Sequence, residues 1–197
     1  MVPGRSISPR LGDMLLSLEN RVKLNNEKCK EMRISFSKFQ QEFEPILING
    51  NALEVVENVK LLGLNISSNL TWNIHINEIV KKASKRLHFL IQLKRAKVAR
   101  TDLGLFYSSC IKSIMDYAVP VFQYSLPKYL MRELEHVQKR AMSIICPGHS
   151  YHEALDIMNF KELAIHHDEI CESLLDTIAN DNNHRLYKLL PATRSNA

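Results

Sequence analysis

Residues 76–90 read Ile-Asn-Glu-Ile-Val-Lys-Lys-Ala-Ser-Lys-Arg-Leu-His-Phe-Leu, and this stretch decides the fold of the larger part of the chain. Side chains three and four residues apart share one face of an α-helix, because each residue turns the helix by about 100°. The apolar positions follow that spacing: Ile76, Ile79, Val80, Ala83, Leu87 and Leu90. The pattern therefore predicts one long helix with a single buried stripe.

Further helical patterns continue towards the C-terminus. A second helix is predicted to start at Thr101, as its N-cap, and to run to Pro120. A third begins near Pro127 and ends at Pro147-Gly148, where the chain cannot remain helical. Three shorter helices are predicted at 150–159, 161–179 and 184–190.

The first third of the chain carries strand and turn signals instead. Strands are predicted at 32–36, 46–48 and 59–66, and Asn49-Gly50 favours a hairpin because both residue types tolerate positive φ. Residues rich in Pro and Ser open the chain, and a short helical pattern follows at 11–21. The predicted fold class is α+β, with a small antiparallel sheet followed by a mainly α-helical bundle.

Composition excludes several classes of protein. The 197 residues carry a net charge of +5, and no run of 18 apolar residues is present, so a membrane span is not expected. The first 20 residues lack a secretory apolar core, and the four cysteines form no C-x-x-C pair. These features predict buried free thiols and an intracellular protein, nuclear or cytoplasmic and not secreted.

The positive charge is concentrated in the middle of the chain. Residues 73–148 hold 13 basic and 5 acidic groups, whereas residues 149–197 hold 4 and 8. No acidic residue lies between Glu78 and Asp102, a stretch with eight cations: Lys81, Lys82, Lys85, Arg86, Lys94, Arg95, Lys97 and Arg100. Such a run indicates either a surface that binds nucleic acid or a solvated helix face. Lys139 and Arg140 either extend that surface or are simply exposed.

Several short motifs, in order, resemble the late palm and thumb of non-LTR retrotransposon reverse transcriptases of the jockey type. The motifs include residues 23–36, Leu47-Ile-Asn-Gly50, Val59-Lys-Leu-Leu-Gly-Leu64, Lys81-Lys-Ala-Ser-Lys-Arg-Leu87, Ile114-Met-Asp-Tyr-Ala118 and Leu186-Tyr-Lys-Leu-Leu-Pro191. The resemblance implies a leader (1–17), a partial palm (18–72), a thumb (73–148) and a helical extension (149–197). It also implies that Lys28 is the palm-motif lysine and that Leu62, Gly63 and Leu64 resemble the primer grip.

The same resemblance implies a thumb that grips an RNA or DNA duplex through the eight cations together with Lys139 and Arg140. In that family the catalytic aspartates lie upstream of the matching segments, and this chain has no Asp-Asp pair. Two-metal phosphoryl transfer requires such paired carboxylates. The expected function is a polymerase remnant that is not an enzyme on its own, has no cofactor, and retains nucleic-acid binding.

The alternative is a protein-interaction module or an unselected transposon-derived product. Residues 21–66 also resemble an N-terminal segment attributed to an AlkB-type alkylated-DNA repair homologue, a label that here would carry neither dioxygenase nor methyltransferase activity. His166-His167-Asp168 spells the H-x-D pair of an iron dioxygenase. However, positions i and i+2 of a helix point about 200° apart and cannot share one metal ion.

A zinc site is the remaining metal hypothesis, and the sequence disfavours it. Cys146, His149 and His152 precede a second pair, His167 and Cys171, but Cys146 ends an apolar helical run where a buried thiol is expected. We therefore assign no metal ligand. Trp72 is expected to pack between the sheet and the first long helix, rather than to stack on a base.

Overall fold

The computed structural model describes residues 25, 27–36, 43–48 and 50–191. The leader (1–17) and the helical pattern at 11–21 lie outside the described residues. The fold is α+β, as the sequence predicts. The chain divides into two compact units, with the boundary between Thr71 and Trp72.

The first unit contains three separate two-stranded ladders among its described residues. Strands β1 (Lys30–Glu31) and β4 (Glu54–Val55) are parallel, whereas β2 (Leu47–Ile48) pairs antiparallel with β3 (Asn51–Ala52). The third ladder joins β5 (Asn58–Leu61) to β6 (Leu64–Ser67), antiparallel. The predicted small sheet is therefore divided into short pieces, one of which is parallel.

Two of the three strand predictions need correction. Residues 32–36 form no strand, because the pairing with β4 takes place just before them, at Lys30–Glu31. Phe36 is 87% exposed. Residues 59–66 form a hairpin instead of one strand, since Leu62 and Gly63 both adopt positive φ, 48° and 86°. Two consecutive residues at positive φ make the type I′ turn that suits the twist of a hairpin. The predicted hairpin at 49–50 is confirmed by the pairing of β2 with β3.

The second unit is helical among its described residues. It contains α1 (Asn73–Arg95), α2 (Arg100–Phe106), a π-helical segment (Tyr107–Lys112), α3 (Ser113–Asp116) and α4 (Val119–Phe122). It continues with α5 (Lys128–Ile145), α6 (Tyr151–Met158) and α7 (Leu163–Asn180). None of the described helices is long and apolar enough to cross a membrane.

Most helix predictions are confirmed, with three corrections. The predicted helix 101–120 ends at Asp116, since Tyr117 is extended and Ala118 is left-handed with φ of 57°, and Pro120 lies in the separate helix α4. Ala99, not Thr101, precedes α2, and Thr101 lies inside the helix. Residues 184–190 contain only a single 3₁₀ turn, Tyr187–Leu189. By contrast, Ser150 caps α6 with the complete capping box to Glu153, in which each residue's side chain bonds the other's backbone N–H.

The core lies where α1 packs between α5 and the helical stretch 100–116. The predicted stripe of α1 is buried except at Val80, which is half-buried: Ile76, Ala83, Leu87 and Leu90 are at most 1% exposed, and Ile79 is 5% exposed. Leu134 and Met142 of α5 face this core and are fully buried. Burial of each such side chain contributes about 1.5–3 kcal/mol relative to exposure. The stripe therefore fixes which face of α1 remains in solvent.

The π-helical segment keeps a second stripe in register. Leu103, Tyr107, Ile111 and Met115 are all fully buried, although their spacing is four residues at each step. On a regular α-helix, that spacing drifts by about 40° per step. The wider π turn accommodates an extra residue and reduces the drift. All four side chains can therefore face the same core.

A buried polar network connects this stripe to α5 and α6. The hydroxyl of Tyr107 donates to Oε1 of Gln138 at 2.5 Å, and Nε2 of Gln138 donates to the hydroxyl of Tyr151 and to the carbonyl of Lys161, both at 2.8 Å. The Tyr151 hydroxyl in turn bonds the carboxylate of Glu135. Gln138 is fully buried, so each of its bonds replaces one that water would otherwise supply.

Replacement of Gln138 tests the importance of this network. Gln138→Leu leaves the Tyr107 hydroxyl and the Lys161 carbonyl without that partner, and we expect a loss of about 2–4 kcal/mol in the free energy of unfolding by urea titration. Ser143→Ala, at an exposed position of the same helix, serves as the control and should change stability by less than about 0.5 kcal/mol. An equally small effect of Gln138→Leu would contradict the role of the network.

Candidate nucleic-acid interface

The solvent face of α1 carries four of the eight cations of the basic run. Lys81, Lys82, Lys85 and Arg86 are all exposed, because the apolar stripe faces the core on the opposite side. Lys81 and Lys85 lie one turn apart, as do Lys82 and Arg86, so the charges form two adjacent rows along the helix. We call this surface the basic face.

Three further cations, Arg95, Lys97 and Arg100, extend from the last residue of α1 to the first residue of α2. Lys97 has φ of 60°, and the N–H groups of Lys97 and Val98 donate to the carbonyls of Lys94 and Leu93. These two bonds define a Schellman ending, in which one residue takes the left-handed conformation and the chain reverses direction. Arg95, Lys97 and Arg100 are all exposed around this turn.

Lys94 has a different role from its neighbours. It is half-buried, and its Nζ donates to the carbonyl of Ile145 at 3.1 Å, at the last residue of α5. A cation at a helix C-terminus satisfies a free carbonyl and interacts favourably with the helix dipole. Lys94 therefore joins the ends of α1 and α5.

Six exposed cations of the run have no salt bridge to any described residue: Lys81, Lys85, Arg86, Arg95, Lys97 and Arg100. Lys82 alone is partly compensated, with Nζ 3.4 Å from the carboxylate of Glu78 one turn earlier. Like charges at this density repel one another, and no described acidic side chain forms a salt bridge with these six cations. The basic face is thus suited to an anionic partner.

The aromatic residues of the basic face did not emerge from the sequence reasoning. Phe89 is 55% exposed and lies one turn after Lys85 on the same side of α1. Its ring makes an edge contact with the imidazole of His88, with centroids 6.0 Å apart and planes at 74°. The signal was present in the sequence, since Phe89 falls outside the apolar stripe in the midst of cations.

Lys139 and Arg140, on α5, are both exposed. Nζ of Lys139 lies 5.1 Å from the centroid of the Tyr151 ring, a cation–π contact with α6. Lys139 is therefore engaged on the side of α5 that faces α6.

The residues assigned to palm and primer grip lie in the first unit. Lys28 is exposed in a turn, and its N–H donates to the carbonyl of Asn25 at 3.1 Å. Leu62 and Gly63 form the hairpin turn, and Leu64 begins β6.

Trp72 packs within the helical unit. Its Nε1 donates to the hydroxyl of Ser125 at 2.7 Å, and its ring lies 5.8 Å from that of Phe122 and 5.9 Å from that of His75. It therefore fixes the start of α1 to the segment after α4, where sequence reasoning expected a contact with the sheet.

The five residues of the zinc hypothesis have separate surroundings. Cys146 and Cys171 are buried free thiols, and Nδ1 of His149 lies 3.3 Å from the carbonyl of Pro147. Nδ1 of His152 lies 3.5 Å from the carboxylate of Glu162. His167 bonds Asp116, as described below. Within the described ranges, no group of three or more His, Cys, Asp or Glu residues is placed to hold a metal ion. Of the other two cysteines, Cys29 and Cys110 are half-buried, less buried than expected.

A charged cluster joins α3 to α7. Asp116 accepts from Nζ of Lys112 at 3.0 Å and from Nε2 of both His166 and His167 at 3.2 Å. Burial raises the pKa of Asp116, but the bond from His167 and the charge of Lys112 outweigh that effect and hold the pKa below its ordinary value. Asp168 instead accepts from Gln123 at 3.0 Å, so the H-x-D residues His166 and Asp168 face different partners.

The geometry defines a helical unit that displays a basic, aromatic-bearing helix face beside a buried core. Within it, residues 72–113 match the family model described as alkylated DNA repair protein alkB homolog 8, N-terminal. No curated protein matches the chain, and no solved structure does.

This match corrects the interpretation as a retrotransposon reverse transcriptase, which is wrong. The matching model covers α1, α2 and the whole π segment, all of which the resemblance assigned to the start of a polymerase thumb. The AlkB-type resemblance was itself placed on residues 21–66, outside the stretch that matches. Short motifs in the expected order were insufficient because Lys-rich helices and Leu-Gly turns recur in unrelated proteins.

The Asp116 cluster predicts a specific pH dependence of stability. Because the folded pKa is lowered, the charged form stabilises the fold above the ordinary carboxyl pKa of 3.8, and this contribution disappears as the pH falls through the lower folded value. Urea unfolding should therefore show a stability difference between wild type and Asp116→Asn that is largest near pH 6 and shrinks towards pH 3. A difference that is independent of pH would contradict the assignment.

Proposed function

We propose that the helical unit is a non-enzymatic module that binds the phosphate backbone of nucleic acid through the basic face and the turn that follows it. The observation that supports this proposal is the set of six exposed cations between Lys81 and Arg100 that have no salt bridge to a described residue. Phosphate contacts would relieve their mutual repulsion and release counterions from the nucleic acid, which favours binding at low salt.

The family match lends separate support. The matching family is named for alkylated DNA repair, and the matched residues 72–113 include all eight cations of the basic run. A role on nucleic acid also agrees with an intracellular location, nuclear or cytoplasmic, which the free thiols favour.

A second candidate function is a protein-interaction module. Nearly all residues from Glu172 to Asn180 of α7 are exposed, and Leu174 and Leu175 are 37% and 53% exposed. Neighbouring exposed leucines on a protruding helix end are typical of a surface that a partner covers. A monomer with salt-sensitive nucleic-acid binding supports the first function, whereas oligomers that bind no nucleic acid support the second.

Charge reversal of the basic face tests the first function. We expect Lys81→Glu, Lys85→Glu and Arg86→Glu together to weaken binding of the full chain to a 20-nucleotide strand at least tenfold at 50 mM salt. The slope of log K against log salt should also become shallower by roughly 2–3, about 0.7–0.9 for each phosphate contact removed. Fluorescence anisotropy of a labelled oligonucleotide measures both quantities.

A charge-matched control separates a defined surface from net charge. Lys128→Glu, Arg132→Glu and Arg185→Glu change the charge by the same amount at exposed positions outside the basic run. This variant should retain most of the affinity. Equal losses in the two variants, or no binding by wild type at low salt, would reject the proposed function.

A further inference from the structure

The basic face carries an aromatic group that phosphate binding leaves unexplained. Phe89 exposes 55% of its surface, although α1 has an apolar stripe elsewhere that buries Ile76, Leu87 and Leu90. Exposure of a phenyl ring to water is unfavourable in free energy, whereas exposure of a polar side chain is not. The ring makes an edge contact with the exposed imidazole of its neighbour His88, with centroids 6.0 Å apart.

The cations flank this aromatic pair along the chain. Lys85 and Arg86 lie one turn before it, and Arg95 lies less than two turns after it, at the beginning of the exposed turn. From Lys81 to Arg95 the helix rises by about 21 Å, which is long enough to follow several nucleotides. Lys81, Lys85 and Phe89 are spaced four residues apart and form one row along α1, whereas Arg95 lies about 120° around the helix from Phe89, beside the exposed turn.

We infer that the basic face binds single-stranded nucleic acid, with an unpaired base stacked on the ring of Phe89; this inference rests on the proposed function and specifies its ligand. Base–aromatic stacking is tolerant of sequence, because every base has a flat face. In a duplex those faces are already stacked on each other, and exposing one requires unpairing. Cations alone would serve both ligands, whereas the exposed ring adds affinity only for the unpaired strand.

Substitution at Phe89 separates stacking from charge. With the full chain at 100 mM salt, a 20-nucleotide thymidine strand should bind more tightly than a 20-base-pair duplex. Phe89→Ala should weaken strand binding about tenfold, within the range known for loss of one stacked base, and change duplex binding less than twofold. Phe89→Trp should retain strand binding, and Phe89→Leu should lose it, although both keep an apolar side chain.

Tyr124→Ala is the matched control, because Tyr124 is an aromatic residue that is 75% exposed outside the basic face. It should leave both affinities unchanged, and circular dichroism should show that each variant is folded. In addition, the tryptophan emission that Phe89→Trp adds to that of Trp72 should be quenched by the strand and not by the duplex.

These measurements distinguish a failure of base stacking on Phe89 from a failure of phosphate binding. Equal binding of strand and duplex, with no effect of Phe89→Ala or Phe89→Leu, overturns the stacking inference and leaves the phosphate-binding function intact. Absence of binding to both ligands at low salt rejects both proposals.

Discussion

Burial of one apolar stripe of α1 is the constraint on which the helical unit depends. Ile76, Ala83, Leu87 and Leu90 lie in the core between α5 and the helical stretch 100–116. Because a helix has a fixed angular spacing, this burial also determines which residues remain in solvent. The charged side chains on the other side of α1 face solvent because the apolar stripe is packed in the core. Their alignment on the surface is thus a consequence of hydrophobic burial.

Polar groups then fix how the helices lie against that stripe. Gln138 joins Tyr107 to Tyr151 inside the core, and Asp116 joins α3 to α7 through Lys112 and two histidines. Apolar side chains of similar size can repack with small energetic differences, whereas an unsatisfied buried hydrogen-bonding group is costly. The buried network therefore selects one arrangement among several that would bury equal apolar area.

Charge in the basic run is divided between structure and solvent. Lys94 satisfies a carbonyl at the end of α5, Lys82 has Glu78 nearby, and the remaining six cations are exposed without a salt bridge to a described residue. Residues of the same type thus have different roles, and the role of each depends on where it lies relative to the core. The match of residues 72–113 to the alkB homolog 8 N-terminal model includes this run and replaces the polymerase interpretation.

The sequence by itself determined the fold class, the long helices and the apolar stripe, because helical periodicity is a local property that each segment carries alone. It also located the excess charge. It could not determine that residues 32–36 lack a strand partner, that 59–66 folds back at Leu62 and Gly63, or that Trp72 packs on Phe122 and Ser125. Nor could it separate Lys94 from its neighbours. These features depend on contacts between segments distant in the chain, and only the tertiary structure decides which segments meet.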